Sequence, residues 1–306
     1  MKRWTVGKHQ RMGQAKSQSA LLHAAVKWIL LISLPFLVVA MNPRFLHAAV
    51  SDIAQSEKPP YRFGVFPFMS LSRLEEIFAP IAVDLSRTLG RKVHFRSAKN
   101  FKQFRSRLSK QDYDIAFIQP FDYVRTAFPS GYLPLVSRRD TLNALVVARQ
   151  ESPFQDPQDL KESVIGLPPE TSAVSHLGLL VLTRLGLRAG QEIKIRHLKT
   201  HDACLQEVFA GIIDACATAR GPLSLFKRKM NVQLKVLIKS PTIPSSLFVA
   251  HSRVIESDRK AMMKMLLSFS PAPDGRVWFP KGQPFRGVID EDYDVVRQLW
   301  EEVRKK

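Results

Sequence analysis

The chain has 306 residues, of which 45 % are hydrophobic, and a formal net charge of +19. This is enough apolar material for one large domain or two smaller ones. No zinc-finger spacing and no run of Lys/Arg interleaved with aromatic residues occurs in the sequence, so nucleic-acid binding is not expected; the charge instead favours an anionic ligand or a membrane surface.

The first 49 residues have the pattern of an export signal. They are basic and contain no acid, and an apolar run over 28–41 is interrupted by Pro35 and followed by Ala48 and Ala49. The run is shorter than the roughly 20 residues needed to span a bilayer comfortably. We therefore expect residues 1–49 to be a signal peptide or, alternatively, an uncleaved N-terminal anchor. Residues 50–60 are predicted to be a polar linker, and the mature protein is expected in the periplasm.

Strands and helices alternate along the rest of the chain. Strands are predicted at 61–66, 92–96, 113–118, 133–137, 142–149, 164–167, 193–198, 212–218, 232–238 and 247–250. Helical segments are predicted at 70–89, 100–108, from 120 onwards, at 156–161, after 172, and at 202–210, 222–229, 259–269 and 291–305. This alternation is typical of α/β folds with parallel sheets.

The segment 164–175 combines a strand, two prolines, a hydroxyl pair and a helix. Thr171 and Ser172 are good N-cap residues, and a helix start directs unpaired N–H groups and the positive end of the helix dipole beyond the strand. Such a start can bind an anion, although most capped helices bind nothing. Similar polar junctions lie at 67–70, 119–120, 200–202 and 218–222, where α/β folds collect ligands.

Two cysteines are present, Cys204 on a predicted helix and Cys216 on the next predicted strand. The main expectation is a pair of buried free thiols. A disulfide is the alternative that an exported protein allows, and a soft-metal or metalloid site with His197 and His201 is a further one.

Several of these segments together resemble the phosphate/phosphite/phosphonate-binding proteins of ABC transporters. Phe63-Gly64-Val65-Phe66-Pro67 resembles the opening strand and ligand loop of that family. Further segments follow in the family's order, at 113–120 with Tyr123, 169–173, 200–203, 213–218 and 239–245. The resemblance covers residues from about 61 to 252.

The resemblance implies an α/β, two-lobed periplasmic-binding-protein fold of type II, with two mostly parallel sheets flanked by helices and a double hinge crossing. Lobe 1 would comprise 61–140 and 240–306, and lobe 2 would comprise 141–239. A ligand would bind in the cleft between the lobes, and closure of the lobes would create a surface that a membrane partner recognises.

The junctions and the resemblance together select the candidate ligand-binding residues. These residues supply the groups that an oxyanion site uses. They include hydroxyl donors, an imidazole, an aromatic ring from the opposite lobe and a guanidinium that pairs with oxyanions. The candidates are Thr171, Ser172, His201, Tyr123, Arg220, Ser70 and Glu170. Each also has a plain structural interpretation as a helix cap, a core aromatic or a solvated charge.

Some positions depart from the family pattern. Glu170 stands where the family has the first Ser of its anion loop and would repel an oxyanion, whereas Arg220 would attract one. Phe68 and Met69 replace polar residues of the opening loop. These departures favour an organic or zwitterionic ligand over plain phosphonate.

The implied function is a solute-binding protein that captures a small oxyanion and delivers it to the permease of an ABC transporter, as a monomer. The alternative is a ligand sensor of the same fold that reports to a membrane sensor kinase and binds an organic, zwitterionic or metalloid oxyanion. We do not expect an enzyme, because the sequence contains no nucleophile elbow, no His-Glu-x-x-His motif and no Walker-type phosphate loop. No cofactor and no resident metal is expected.

Overall fold

The computed structural model describes residues 58–271, 278–279 and 282–304. The leader prediction and most of the linker prediction therefore lie outside the described residues. Within the described part of the chain, the strands form two large sheets and one short two-stranded ribbon. No described helix has the length and apolar character that crossing a bilayer requires.

The first sheet contains six described strands in the spatial order β13-β4-β12-β3-β1-β2. Its strands are β1 (Tyr61–Val65), β2 (Val93–Arg96), β3 (Ile115–Ile118), β4 (Tyr132–Arg138), β12 (Leu247–His251) and β13 (Phe285–Gly287). Strands β2 and β3 both run parallel to β1, whereas β12 is antiparallel to β3 and β4. Every residue of β3 is buried, as expected of a strand with a neighbour on each side and a layer packed on each face.

The second sheet contains five described strands in the order β10-β6-β9-β7-β8. Its strands are β6 (Leu145–Arg149), β7 (Val164–Leu167), β8 (Lys194–His197), β9 (Ala215–Thr218) and β10 (Leu234–Lys239). Strands β8 and β9 run parallel to β7, and β6 is antiparallel to both β9 and β10.

The chain passes between the two sheets twice, next to a ribbon formed by β5 (Thr141–Leu142) and β11 (Ile243–Pro244). The prediction of one strand over 142–149 was wrong, because the chain leaves the ribbon after Leu142 and enters the second sheet at Leu145. Most strands of each sheet run in one direction, as predicted, although both sheets are mixed. Strands β12 and β13 run opposite to the other four strands of the first sheet, and β6 runs opposite to the other four strands of the second.

Helices and short helical turns connect the strands. The helices are α1 (Leu71–Leu89), α2 (Phe101–Ser109), α3 (Pro120–Asp122), α4 (Ala173–Arg184), α5 (His201–Phe209), α6 (Arg220–Met230), α7 (Glu256–Ser268) and α8 (Asp294–Arg304). A wider π-helical turn (Tyr123–Ala127) continues α3, and 3-10 turns follow at Phe128–Ser130, Pro157–Leu160 and Asp290–Tyr293.

Helix α1 shows why these segments become helical. Its buried residues recur at helical spacing, from Leu74 through Ile77 and Phe78 to Leu85, and form an apolar stripe that packs on the first sheet. Gly90 ends the helix with φ of 54°, a left-handed conformation that glycine adopts without strain. The predicted helix over 70–89 is confirmed.

Candidate ligand-binding cleft

A cleft of about 790 Å³ lies between two layers of the molecule. One layer is the first sheet with its helices, and the other is the second sheet with its helices. It opens at the carboxyl ends of two parallel strand pairs, β1/β2 in the first sheet and β7/β8 in the second. The lining residues are Pro67, Phe68, Met69, Ser70, Leu71, Leu74, Glu75, Phe95, Arg96, Ser97, Ala98, Lys99, Phe101, Gln103, Arg107, Pro169, Ser172, Lys199, Thr200 and His201. This is the position where ligands bind in open α/β sheets.

The wall contributed by the first sheet includes three aromatic side chains, Phe68, Phe95 and Phe101, and further aromatic rings lie behind them. The ring centroid of Phe68 lies 4.5 Å from that of Phe66 and 4.4 Å from that of Trp278, and Phe66 is 5.9 Å from Phe101. Phe68 and Met69 are half-buried and pack against the core of the first sheet. The apolar wall is therefore a continuation of that core into the cleft.

Positively charged side chains surround the opening. Arg96, Lys99, Arg107 and Lys199 line the cleft, and Glu75 is the one acidic residue among the described lining residues. The Arg107 side chain is oriented by a hydrogen bond to the backbone of a neighbouring segment, because its Nη1 donates to the Ser97 carbonyl oxygen at 2.9 Å. The excess of cations gives the cleft a positive potential that attracts anions.

The start of α5 forms one edge of the cleft. The Thr200 hydroxyl accepts from the Ala203 N–H at 3.0 Å and caps the helix. The Nδ1 atom of His201 lies 3.2 Å from Thr218 Oγ1. Burial lowers the pKa of His201 to about 4, so the imidazole is neutral at pH 7 and presents one donor and one acceptor nitrogen.

A disulfide between Cys204 and Cys216 joins α5 to β9. The expectation of two free thiols was wrong, because the helix packs so closely on the sheet that the two Cα atoms are 5.8 Å apart, within disulfide range. Gly166 allows this approach, since a Cβ built there would lie 2.9 Å from Cys204 Sγ. The bond removes both thiolates from the alternative metal set, and no cluster of three metal-ligating side chains occurs among the residues that the structure describes.

The start of α4 is closed by a side chain from the opposite layer. Gln119, at the end of β3, accepts from the Ala173 N–H at 2.8 Å and donates to the Thr171 carbonyl oxygen at 2.8 Å. The Ser172 hydroxyl accepts from the Ser175 N–H at 3.1 Å. The expected anion cradle at this helix start is therefore already occupied by protein groups at two of its amides.

Behind this contact lies a buried carboxylate. Gln119 also donates to Asp122 Oδ2 at 2.9 Å, and Asp122 is fully buried. Burial raises the pKa of Asp122 to about 6, against the opposing effects of the Gln119 hydrogen bond and the nearby Arg105 and Arg125. The end of β3 and the start of α4 thus form one polar network that links the two layers.

Helix α4 is buried on two sides. Ala173, Val174 and Leu177 belong to the core of the first sheet, whereas Val181 and Leu182 belong to a core of the second. This explains why the helix is apolar nearly all round rather than amphipathic.

The C-terminal helix α8 reaches across to α4. The rings of His176 and Trp300 lie 5.4 Å apart, and Arg184 Nη2 is 2.6 Å from Glu302 Oε2. Burial, reinforced by nearby Arg125 and Arg105, lowers the pKa of His176 to about 3. The neutral imidazole therefore packs between the two layers, with its Nε2 atom 3.4 Å from Arg125 Nη1.

Comparison with known proteins agrees with this architecture. A family model described as the periplasmic substrate-binding protein of a phosphonate ABC transporter matches residues 63–293. The chain belongs to this family. A search of curated proteins gave no match.

Solved structures show the same fold. The binding-protein component of a phosphonate ABC transporter from Pseudomonas aeruginosa has a TM-score of 0.67 at 16% identity, over 80% of this chain and 87% of that one. PhnD1 from Prochlorococcus marinus, solved with methylphosphonate, has a TM-score of 0.70 at 15% identity, over 81% and 99%. A Xanthomonas citri protein solved with ATP has a TM-score of 0.63 at 16% identity, over 80% and 98%. The two-lobed periplasmic-binding-protein fold is therefore confirmed.

Three of the predicted site residues of this phosphonate-binding family member line the cleft, namely Ser70, Ser172 and His201. Their roles as ligand contacts stay predictions. Ser70 and Ser172 come from opposite layers, so the cleft brings together hydroxyl groups that are about a hundred residues apart in the chain.

The other four predicted residues lie elsewhere. Tyr123 is fully buried and donates its hydroxyl to Asp290 Oδ1 at 2.6 Å; burial, then this hydrogen bond, raises its pKa. Arg220 is exposed at the first position of α6. Glu170 is exposed, and Thr171 contributes its carbonyl oxygen to the Gln119 contact.

Sequence reasoning missed the cations Arg96, Lys99, Arg107 and Lys199, and the role of Gln119. A signal for them did exist, since Lys99 and Lys199 each stand directly before a helix-capping residue at a strand-to-helix junction. Gln119 also lies at such a junction.

Proposed function

We propose that this family member binds a small oxyanion of the phosphate, phosphite or phosphonate type in the cleft and delivers it to the permease of an ABC transporter. The observation that carries the proposal is the charge of the cleft. Four cationic side chains line it against a single described carboxylate, Glu75. An oxyanion is the class of small solute that such a field concentrates.

Polar groups from both layers are available to hold the ligand. We assign hydrogen-bond donation to the hydroxyl of Ser70 and to His201, with Lys99 and Lys199 as charge partners from opposite sides. The Ser172 hydroxyl lines the same cleft and donates its own proton to Ser175 Oγ at 3.1 Å. A ligand that contacts both layers stabilises their closed arrangement. The chain crossings beside the β5/β11 ribbon act as the hinge, with lobe 1 at 61–140 and 240–306 and lobe 2 at 141–239.

Family membership supports the remaining parts of the proposal. The chain acts in the periplasm as a monomer, carries out no chemical step, and presents the closed lobes to a membrane permease. Two proteins of the same fold were solved with methylphosphonate and with ATP, which supports a phosphorus oxyanion for this chain as well. The sensor-kinase alternative receives no support from these comparisons.

Calorimetric titration of the full chain with inorganic phosphate, phosphite and methylphosphonate tests the binding step. We expect at least one of the three to bind, and Lys99→Gln and Lys199→Gln to weaken it by about tenfold or more each, as expected for the loss of one charged contact. Lys229→Gln is the matched control, because Lys229 is exposed on α6 and does not line the cleft. Raising the salt concentration weakens the interaction through screening.

Absence of binding by all three oxyanions contradicts the proposal, as does equal loss of affinity in the Lys229→Gln control. The delivery step is tested in cells. Deleting the gene abolishes uptake of the bound oxyanion, and unchanged uptake excludes a role in transport.

A further inference from the structure

The cleft is larger than a bare oxyanion. Its volume of about 790 Å³ is in the range of sites that bind drug-sized molecules, roughly 300–1,000 Å³. An inorganic oxyanion occupies a small part of it, so the shape of the cleft leaves room for a substantial organic group.

The chemistry of one wall defines that group. Phe68, Met69, Leu71, Leu74 and Phe95 line the cleft on the side of the first sheet. Leu71 is 57 % exposed at the first position of α1. Exposed apolar surface in a cleft stabilises a ligand that covers it with apolar atoms and contributes nothing to a fully hydrated anion.

The charges in the cleft disfavour a ligand that carries a positively charged group. The described lining has four cations and one carboxylate, so a positively charged group on the ligand has few partners and several repulsive neighbours. A ligand bearing an ammonium group is therefore disfavoured relative to one with an apolar group of the same shape.

We propose that the cleft takes an organic phosphonate whose substituent is uncharged and apolar, such as a short alkyl chain or a phenyl ring. This inference rests on the proposed function, since it assumes that the phosphonate end binds the cations of the same cleft. The apolar substituent lies against the wall formed by Phe68, Met69 and Leu71. The wall, rather than the anion site, then determines which phosphonate is selected.

Matched ligands test the selection directly. Propylphosphonate and 2-aminoethylphosphonate have nearly the same shape and differ by a terminal methyl in place of an ammonium group. By calorimetry on the full chain, propylphosphonate binds at least about tenfold more tightly than methylphosphonate, as expected for burying two more methylenes. It also binds more tightly than 2-aminoethylphosphonate, and phenylphosphonate behaves like propylphosphonate.

Variants of the wall locate the effect. Leu71→Ser removes an exposed side chain and lowers the propyl-to-methyl affinity ratio by about threefold or more. Val83→Ser is the matched control, because Val83 is 55 % exposed on the same helix and does not line the cleft. This control leaves the ratio as in the wild type.

The outcomes separate the two proposals. If methylphosphonate or phosphate binds and propylphosphonate binds no better, the apolar selection is overturned while oxyanion binding stands. Tighter binding of 2-aminoethylphosphonate than of propylphosphonate also overturns it. If none of these anions binds, the proposed function fails together with the inference.

Discussion

Two helix starts in the second sheet's layer share a sequence pattern and differ in surroundings. Helices α4 and α5 each follow a parallel strand and each begin with a hydroxyl residue, Ser172 or Thr200, whose side chain caps the helix. The start of α5 faces the cleft. The start of α4 is covered by Gln119 from the opposite layer, and only its Ser172 lines the cleft.

The two helix starts differ in whether their polar groups remain available to a ligand. At α4 the helix amides stabilise the contact between the layers, because Gln119 satisfies both a donor and an acceptor there. At α5 the flanking Lys199 and His201 remain directed to the cleft. A capped helix start is therefore a structural joint in one case and part of a candidate binding site in the other.

The largest expected effect comes from removing the joint at α4. Gln119 is 3 % exposed and makes hydrogen bonds to Asp122, Thr171 and Ala173. Gln119→Ala leaves these buried groups without partners and is expected to reduce the free energy of unfolding by roughly 4 kcal/mol, as measured by denaturant titration. Gln103→Ala is the control, since Gln103 lies in the first turn of α2 and its side chain accepts a local hydrogen bond, from the Lys99 N–H. A comparable loss in both variants contradicts a role for Gln119 in joining the layers.

The second prediction concerns the covalent link beside α5. Cys204 and Cys216 are 12 residues apart in sequence, and closing a loop of this size stabilises a fold by about 3 kcal/mol in the chain-entropy treatment. Reduction with dithiothreitol should therefore lower the melting temperature of the wild type. The double variant Cys204→Ala/Cys216→Ala should not respond to reduction. Equal responses of the two proteins to the reductant exclude the bond.

The buried imidazole of His176 in α4 is expected to make the stability of the fold depend on pH. The pKa of His176 is lowered to about 3 by burial and then by Arg125, Arg105 and His197. Because the unfolded chain has the ordinary pKa near 6.5 and binds the proton first, this contribution to stability is present above that value and is lost as the pH falls towards 3. His176→Gln removes the dependence, so the variant should lose roughly 2 kcal/mol less than the wild type between pH 7 and pH 5.

Denaturant titration at the two pH values measures this difference. The neighbouring Asp122 has the opposite effect, because its raised pKa of about 6 makes the folded state gain stability as the pH falls through that value. It is present in both proteins and largely cancels in the comparison. Parallel stability curves for wild type and His176→Gln contradict the prediction.

The smallest effect compares the two caps directly. Ser172 is buried and its hydroxyl accepts from the Ser175 N–H, whereas Thr200 is exposed. Replacing either by Ala removes one cap, which typically costs about 1 kcal/mol. The loss for Ser172→Ala should exceed that for Thr200→Ala, because water replaces the lost partner only at the exposed position. Equal losses in thermal unfolding contradict the difference in burial.

Local sequence signals predicted most of the fold. The helices predicted over 70–89 and 100–108 are confirmed as α1 and α2. Strand β13 was missed, since its three residues 285–287 contain no strand pattern and pair with β4 only after the chain has returned from the second sheet. The break between β5 and β6 was missed for another reason. The apolar residues continue through it, and they do not show where a chain changes sheets.

The candidate site was predicted only in outline. The rule that ligands collect where a strand ends and a helix begins placed Ser70, Ser172 and His201 at strand ends that line the cleft. It placed Arg220 and Tyr123 there as well, although Arg220 is exposed at the start of α6 and Tyr123 is buried against Asp290. A junction fixes which end of a strand a residue follows, but not which neighbouring layer covers that end.

The sequence alone therefore determined the alternation of elements, their caps and stops, and the family resemblance, because these depend on neighbouring residues and their order. The tertiary structure decided which junctions remain open. Gln119 closes one helix start from 54 residues away in the chain, and Cys204 pairs with Cys216 because Gly166 lets α5 pack closely on the sheet. Such contacts join segments that are distant in sequence. Which helix start they cover is therefore decided only when the two layers pack against each other.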